Sequence, residues 1–271
     1  MALPARGGEA FQIIQAIQEE AEDMDAAWSG DRPKAIPIVP EKLSMEDFMA
    51  KASVQEAIEN GELPLGLDMM RVESVSIPME GFKHILVMGD GEEGLTSTLK
   101  SLLIISSNLS AQIVKTLLID VESTLGDFQQ EADTYLSEQE NISQMVQQIK
   151  IEMKRRQSSE GYPDWLILIP NIETLINNND FMQQDFIEVY DEAPKVGIHF
   201  VIGAYHNFIN TNIAPLAKYL KNNSRTALIS MKLSDQNIFD KVYNSKEKRL
   251  LNDETYLHHK NESTKLKLVS K

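Results

Sequence analysis

The sequence contains no cysteine. That removes disulfides, Cys-ligated zinc, iron–sulfur clusters and a thiol nucleophile, and it suits a reducing compartment. No apolar run reaches the roughly 18 residues that a membrane-crossing helix requires. The opening stretch, MALPARGGEAF, lacks the apolar core of a secretory leader. Basic side chains are scarce, with 26 Lys and Arg against 41 Asp and Glu and a net charge of −15. That balance argues against a duplex-DNA binder, because affinity for the phosphate backbone comes mainly from Lys and Arg, although local patches count for more than totals. G-x-S-x-G is absent, as is any grouped acid–His–Ser set, so nothing points to nucleophilic catalysis. There is no internal repeat.

What remains is an ordinary globular composition, 42% hydrophobic and 25% charged over 271 residues, ample for a buried core. The charge is uneven. Residues 1–62 hold 5 basic and 13 acidic side chains, whereas residues 241–271 hold 8 and 4. The simplest meaning of that gradient is solvated surface.

Residues 9–27 read as an amphipathic helix, with Phe11, Ile14, Ile17, Ala21 and Met24 recurring at three- and four-residue steps. Gly30, Pro33, Pro37 and Pro40 then break it into an extended connector. Two short helices follow, with Ser44/Asp47 and Ser53/Glu56 as capping boxes and Gly61 as the stop. These segments make residues 1–62 an acidic lead-in that packs on a body of residues 63–271. The start inside an acidic helix is what a fragment of a longer chain would show.

In the body, apolar strand-like runs alternate with helical ones. KHILVMG (83–89), IVKTLLID (113–120), WLILIP (165–170), GIHFVIGAY (197–205), RTALIS (225–230) and KLKLVS (265–270) read as strands. Segments 95–108, 141–156, 181–193, 214–223 and 234–242 read as helices, the second with Ile142, Met145, Ile149 and Met153 on one face. INNNDFMQQD (176–185) reads as a polar loop. Near-continuous apolar strands alternating with helices predict an α/β fold with a mostly parallel sheet. In such folds ligands bind beyond the carboxyl ends of the strands.

After the first of these strands comes Gly89-Asp90-Gly91-Glu92-Glu93-Gly94-Leu95-Thr96. The phosphate-binding P-loop is G-x-x-x-x-G-K-[ST] between a strand and a helix. Gly89, Gly94 and Thr96 stand in the pattern's positions, but Leu95 replaces the lysine. Such a loop curls its N–H groups inward, and the following helix adds partial positive charge. Losing the lysine removes a charge-assisted contact worth roughly 1.5–3 kcal/mol, and Lys100 lies more than a turn away. Asp90, Glu92 and Glu93 add three carboxylates that repel a triphosphate unless they turn away or a cation intervenes. Thr96 retains a hydroxyl able to meet Mg²⁺. The competing reading is a tight strand-to-helix turn with glycine for backbone reasons.

The second nucleotide-site strand has diverged in the same way. Four apolar residues, LILI, are followed not by an aspartate but by Pro170 and Asn171, with Glu173 the nearest carboxylate, suited to a metal or to a cap. Asp120 ends another strand at the ligand edge. Arg155 and Arg156 end a long helix, where they serve either a neighbouring subunit's phosphates or the helix C-terminus. Arg225 opens a strand as a sensor or a surface charge. His84 and His199 fall in apolar strands and read as packed residues. His258 and His259, adjacent on an extended segment, face opposite ways and make a poor metal site. No metal site is assigned.

Across residues 33–271, an ordered series of segments resembles the FtsK/SpoIIIE-type P-loop ATPases, and among them the last ATPase domain of type VII secretion motors. The series is AIPIVPEKLS, LPLGLD, HILVMGDGEEGLTSTLKSL, LLIDVES, IKIEMKRR, WLILIPNIETL and GIHFVIGAYH. The resemblance implies a three-layer RecA-like fold and a site for ATP and Mg²⁺, weak or absent here because both motifs have lost their charged residues. It implies secreted helical-hairpin (WXG100-like) substrates and the preceding ATPase domains as partners, a hexameric ring, and a place at the cytoplasmic face of the membrane with the anchor elsewhere in the protein. Two alternatives stay open: an active ATPase completed by neighbouring subunits, and a DNA translocase. The acidic body disfavours the second, and no nucleic-acid partner is expected.

Overall fold

The computed structural model describes residues 10–30, 37–80, 82–109, 114–137, 140–158, 161–177, 181–240 and 246–270. The chain forms two compact units, Met1–Pro37 and Ile38–Lys271. In the first, helix α1 spans Ala10–Ala27, as the periodicity predicts, and a Gln15 to Glu19 side-chain bond of 3.2 Å supports its surface. The side chain of Phe11 lies outside the described residues.

The second unit begins with two short helices, α2 (Met45–Met49) and α3 (Ala52–Glu59). Strands β1 (Glu62–Asp68), β2 (Ser74–Pro78) and β3 (His84–Gly89) follow, then helix α4 (Glu92–Ser107). Next come β4 (Val114–Ile119), β5 (Thr134–Leu136), α5 (Glu140–Arg156), β6 (Asp164–Ile169), α6 (Ile172–Ile176) and α7 (Gln183–Glu192). The chain closes with β7 (Ile198–Tyr205), α8 (His206–Thr211), α9 (Pro215–Asn223), β8 (Thr226–Ser230), β9 (Glu254–His259) and β10 (Glu262–Lys267).

The ten strands form one sheet in the order β2-β1-β10-β9-β8-β3-β7-β6-β4-β5. From β8 to β5 every pairing is parallel, and from β2 to β8 every pairing is antiparallel. The parallel half is covered on both faces, so its strands are apolar throughout rather than alternating. On β3, Leu86 and Met88 join one core with α5, α7 and α9 (Met145, Ile149, Phe186 and Leu220 among its members). Ile85 and Val87 face the other way, onto Leu95, Leu99 and Leu102 of α4. The result is the three-layer α/β arrangement that the sequence predicts.

Several local readings need correction. Residues 38–62 are built into the second unit: Leu43, Phe48 and Val54 pack with Leu67, Ile104, Ile105 and Val269, and Leu43 bridges to Val269. Ser44 does cap α2, accepting from the Asp47 N–H at 3.0 Å. Ser53 does not cap α3; Lys51 holds that position, and the Ser53 hydroxyl accepts from the Ser74 N–H at 3.1 Å. No helix forms over the described residues of 234–242. There the buried Gln236 amide oxygen accepts from the Ile238 and Phe239 N–H groups, each at 2.8 Å. A side chain thus binds the donors a helix would otherwise use. The last strand is β10, ending at Lys267 rather than at residue 270. It is the second arm of a hairpin with β9, through Lys260 and Asn261 at φ of 51° and 65°, as a two-residue hairpin turn with both φ positive requires. On α5, Met145, Ile149 and Met153 are buried; the side chain of Ile142 lies outside the described residues.

Candidate functional site

Parallel register brings the carboxyl ends of the strands together. Gly89 pairs with Tyr205 of β7 on one side and with Ser230 of β8 on the other. Pro170 and Asn171 follow β6, and Asp120 follows β4. The P-loop-like segment and the strand end at Pro170 therefore stand on either side of the end of β7 and line one cleft.

The loop itself is short. Helix α4 starts at Glu92, with Gly91 as its cap in extended conformation, so only Asp90 and Gly91 separate strand from helix. The pattern places Gly94 and Leu95 at the helix opening; here they lie inside its first turn. Glu92 and Glu93 occupy the first two helical positions and are exposed. Carboxylates there are favoured by the helix dipole, and they put negative charge where a P-loop receives phosphate. Leu95 is 3% exposed and packs with the core under the sheet. Lys100 lies over the Phe128 ring, 4.9 Å from its centroid.

Gly94 sits in close packing against β8. A Cβ built there would stand 3.1 Å from the Ser230 carbonyl oxygen. One turn later Thr98 hydrogen-bonds the Gly94 carbonyl at 3.0 Å and the Ser230 hydroxyl at 2.6 Å, and Ser230 continues to Thr255 at 3.1 Å. This buried hydroxyl chain fastens α4 to β8 and β9.

The other expected site residues are largely engaged. The buried Asp120 carboxylate accepts from the Thr124 N–H at 2.9 Å and the Leu125 N–H at 2.6 Å, folding the loop after β4. Burial pushes its pKa up against the pull of those two N–H groups, and Glu122 adds to the rise. The Asn171 side-chain oxygen caps α6 through the Glu173 N–H at 3.0 Å, while its amide donates to Glu122 at 2.8 Å. The Pro170 carbonyl packs so closely on β7 that a Cβ at Gly203 would overlap it. Thr96, Glu92, Glu122, Asn171 and Tyr205 line a cleft of about 550 Å³. Glu173 lines an adjoining one of about 490 Å³ with Asp90 and His206. A third, of about 630 Å³, runs along Asp90, Glu92 and Glu93 and is closed by Arg249 and Asn252, whose amide reaches Glu93 at 3.2 Å.

Tyr205 marks the character of this edge. Burial first, then the carboxylates of Glu92, Glu122 and Glu173, push its hydroxyl pKa up. Among the described residues no three His, Cys, Asp or Glu side chains are grouped to hold a metal ion. Arg155 and Arg156 stand at the opposite, amino edge. The Arg156 guanidinium is buried, pairs with Glu152 at 2.9 Å and donates to the carbonyls of Val196, Gly197 and Pro163 at 2.9–3.0 Å. Arg155 pairs with Glu152 at 2.6 Å. Tyr205, Glu122 and the strap at 249–252 had no motif to announce them. Tyr205 ends β7 and Glu122 follows β4, where ligand-edge residues belong.

A P-loop ATPase fold with an acidic carboxyl edge is the class this arrangement defines. The superposable solved structures agree: "EssC (ATPases 2 and 3) from Geobacillus thermodenitrificans" matches 98% of the chain and 52% of its own, at a TM-score of 0.81 and 20% identity. "The cytoplasmic domain of EssC" matches 99% of the chain and 55% of its own, at a TM-score of 0.74 and 20% identity. "Thermomonospora curvata EccC (ATPases 2 and 3) in complex with a signal sequence peptide" matches 98% of the chain and 50% of its own, at a TM-score of 0.64 and 17% identity. No family model matches the sequence. The chain is homologous to the type VII secretion proteins EssC and EccC. It is 27% identical over 99% of its length to the EssC protein of Staphylococcus aureus (strain MRSA252), and 25% identical over 88% to the EccC protein of Geobacillus thermodenitrificans (strain NG80-2). It spans 18% and 17% of those two proteins. Among the described residues no helix is long and apolar enough to cross a membrane.

Proposed function

We propose that this chain is the last ATPase-type domain of a type VII secretion motor, that it has given up phosphate chemistry, and that it works by binding secreted protein and adjoining ATPase domains. The observation that carries this reading is the start of α4 at Glu92, which leaves two residues in place of a phosphate cradle. Mg²⁺–triphosphate fits these residues poorly. The lysine position is a buried leucine, the first helical turn already holds two carboxylates, and Asn171 is occupied as a cap. Placing three or more phosphate charges beside Glu92, Glu93 and Glu122 adds repulsion where attraction is required. The signal-peptide complex of the structurally similar EccC supports substrate binding as the remaining role.

Calorimetric titration with ATP and Mg²⁺ should show no saturable binding in the micromolar range, and micromolar affinity would overturn the degenerate reading. Titration with helical-hairpin substrates carrying intact and truncated C-termini checks the other half, with binding expected only for the intact form.

A further inference from the structure

At the amino edge of the sheet, far from the strand ends that hold the P-loop-like segment, lies a separate cleft of about 490 Å³. Five elements build it: the entry to β3, the end of α7, α9, the start of β8 and the end of β9. Buried Phe82 and Tyr190 back an aromatic wall whose accessible ring is the half-buried Tyr219. These rings are fixed: Tyr190 meets Tyr219 edge-on at 6.2 Å, and Phe82 stacks on His199 at 4.9 Å. Such an arrangement offers a flat ligand a preformed surface.

The polar groups are unusual for a chain of net charge −15. Lys83 and Arg225 both line the cleft and are exposed, and neither makes an ion pair among the described residues. Burial first, and then the charge of Lys260 beside it, hold the pKa of the lining residue His259 down. Asp191 is the carboxylate in the lining, and it already accepts the Tyr219 hydroxyl. The Ser224 hydroxyl oxygen, also in the lining, is buried with no hydrogen-bond partner. Buried hydroxyls are normally satisfied; this one, like those of Ser74, Thr116 and Thr174, is not, and of the four it alone lines this cleft, where it can turn to an acceptor supplied from outside.

We propose that this cleft is a second ligand site, taking a small oxyanion carried on a flat ring, with Arg225 and Lys83 meeting the charge, Ser224 donating to it, and Tyr219 receiving the ring. The same chemistry is offered by an aromatic carboxylate and by a mononucleotide. Guanidinium and ammonium groups recognise either oxyanion, and the aromatic wall separates both from a bare inorganic ion.

The test is calorimetric titration of the full chain with 4-hydroxybenzoate, with AMP and with inorganic phosphate. At least one ring-bearing oxyanion should bind saturably and at least tenfold more tightly than inorganic phosphate. Which one does so identifies the source of the ligand. Arg225→Gln, an exposed change that leaves the core untouched, should weaken that binding at least tenfold, and Ser224→Ala several-fold. Tyr205→Ala, in the cleft at the other edge, should leave it unchanged. The proposal is overturned if neither ring-bearing probe saturates, if inorganic phosphate binds as well, or if Tyr205→Ala abolishes binding while Arg225→Gln does not.

Discussion

Leu95 and Arg156 show how a single side chain decides between a motif and its remnant. Leu95 sits where a P-loop lysine would, yet it is 3% exposed and belongs to the core beneath the sheet. Leu95→Lys therefore exchanges buried apolar contact for an ammonium that must leave the core or lose its charge. The variant should show no ATP turnover in a phosphate-release assay, because Pro170 and Asn171 still follow β6 and α4 still starts at Glu92. Clear turnover would show that one charge was all the site lacked. Arg156 lies on the opposite edge, where its guanidinium ties three backbone carbonyls and Glu152 together between the faces of Tyr162 and Trp165, 4.4 and 5.0 Å from their ring centroids. Removing one partner of a buried, hydrogen-bonded pair costs roughly 3–5 kcal/mol. Arg156→Ala should thus lower the urea midpoint by a corresponding amount, whereas a loss under 1 kcal/mol would mean the loops hold without it. Gly203→Ala belongs with it. The added methyl overlaps the Pro170 carbonyl, backbone that cannot swing aside, so a loss of about 3 kcal/mol in the same measurement is expected.

Helix α4 carries the argument at the next scale. Its sequence reads as a helix from residue 95, because Gly94 and the carboxylates before it look like loop. In the structure the helix reaches back to Glu92, since two carboxylates in a first turn stabilise it and Gly94 lets it lie against β8. Replacing both, Glu92→Gln with Glu93→Gln, should destabilise the protein by about 0.5–2 kcal/mol at low ionic strength, shrinking as salt is added. A gain in stability would mean that repulsion from Asp90, Glu122 and Glu173 outweighs the dipole. The parallel strands were legible because burial on both faces leaves long apolar runs such as HILVMG and WLILI. The antiparallel β2 and β9 were not, because SVSIP and ETYLHH mix polar and apolar residues, even though most of β9 is buried. The turn around Gln236 escaped notice for a related reason: its order comes from one buried amide, which has no period to read. The positions of the motif residues could be read from the sequence, but their geometry depended on where α4 begins.

Across the whole molecule, the clefts at the two edges of the sheet differ in charge, although Lys232 and Arg249 join the carboxyl edge and Asp191 the amino edge. Asp90, Glu92, Glu122 and Glu173 gather at the carboxyl edge, while Lys83, Arg225 and Lys260 stand at the amino edge. With −15 overall and the carboxyl edge acidic, a gel shift at low salt should show no tight duplex-DNA complex, and a tight one would revive a translocase role. The carboxylates also set the response to acid. Hydrogen bonding to Arg155 leads the causes that hold Glu152 at about 2, with Arg156 adding to it against the opposing effect of burial. At Glu247, burial pushes upward but the N–H groups of Ser234 and Leu233 prevail, and the pKa falls. Both groups bind fewer protons folded than unfolded. Their stabilisation is complete above the ordinary carboxylate range near 4.5 and is lost as pH falls from there toward 2. Asp120 has the opposite sign, because burial raises it and its protonation favours the folded state; it offsets part of the loss. Urea unfolding across this window should show stability declining with acid, and Glu152→Gln should flatten that decline while lowering stability at neutral pH. An unchanged slope in the variant would place the acid sensitivity elsewhere and show that the clasp between α5 and the amino-edge loops does not depend on the Glu152 charge.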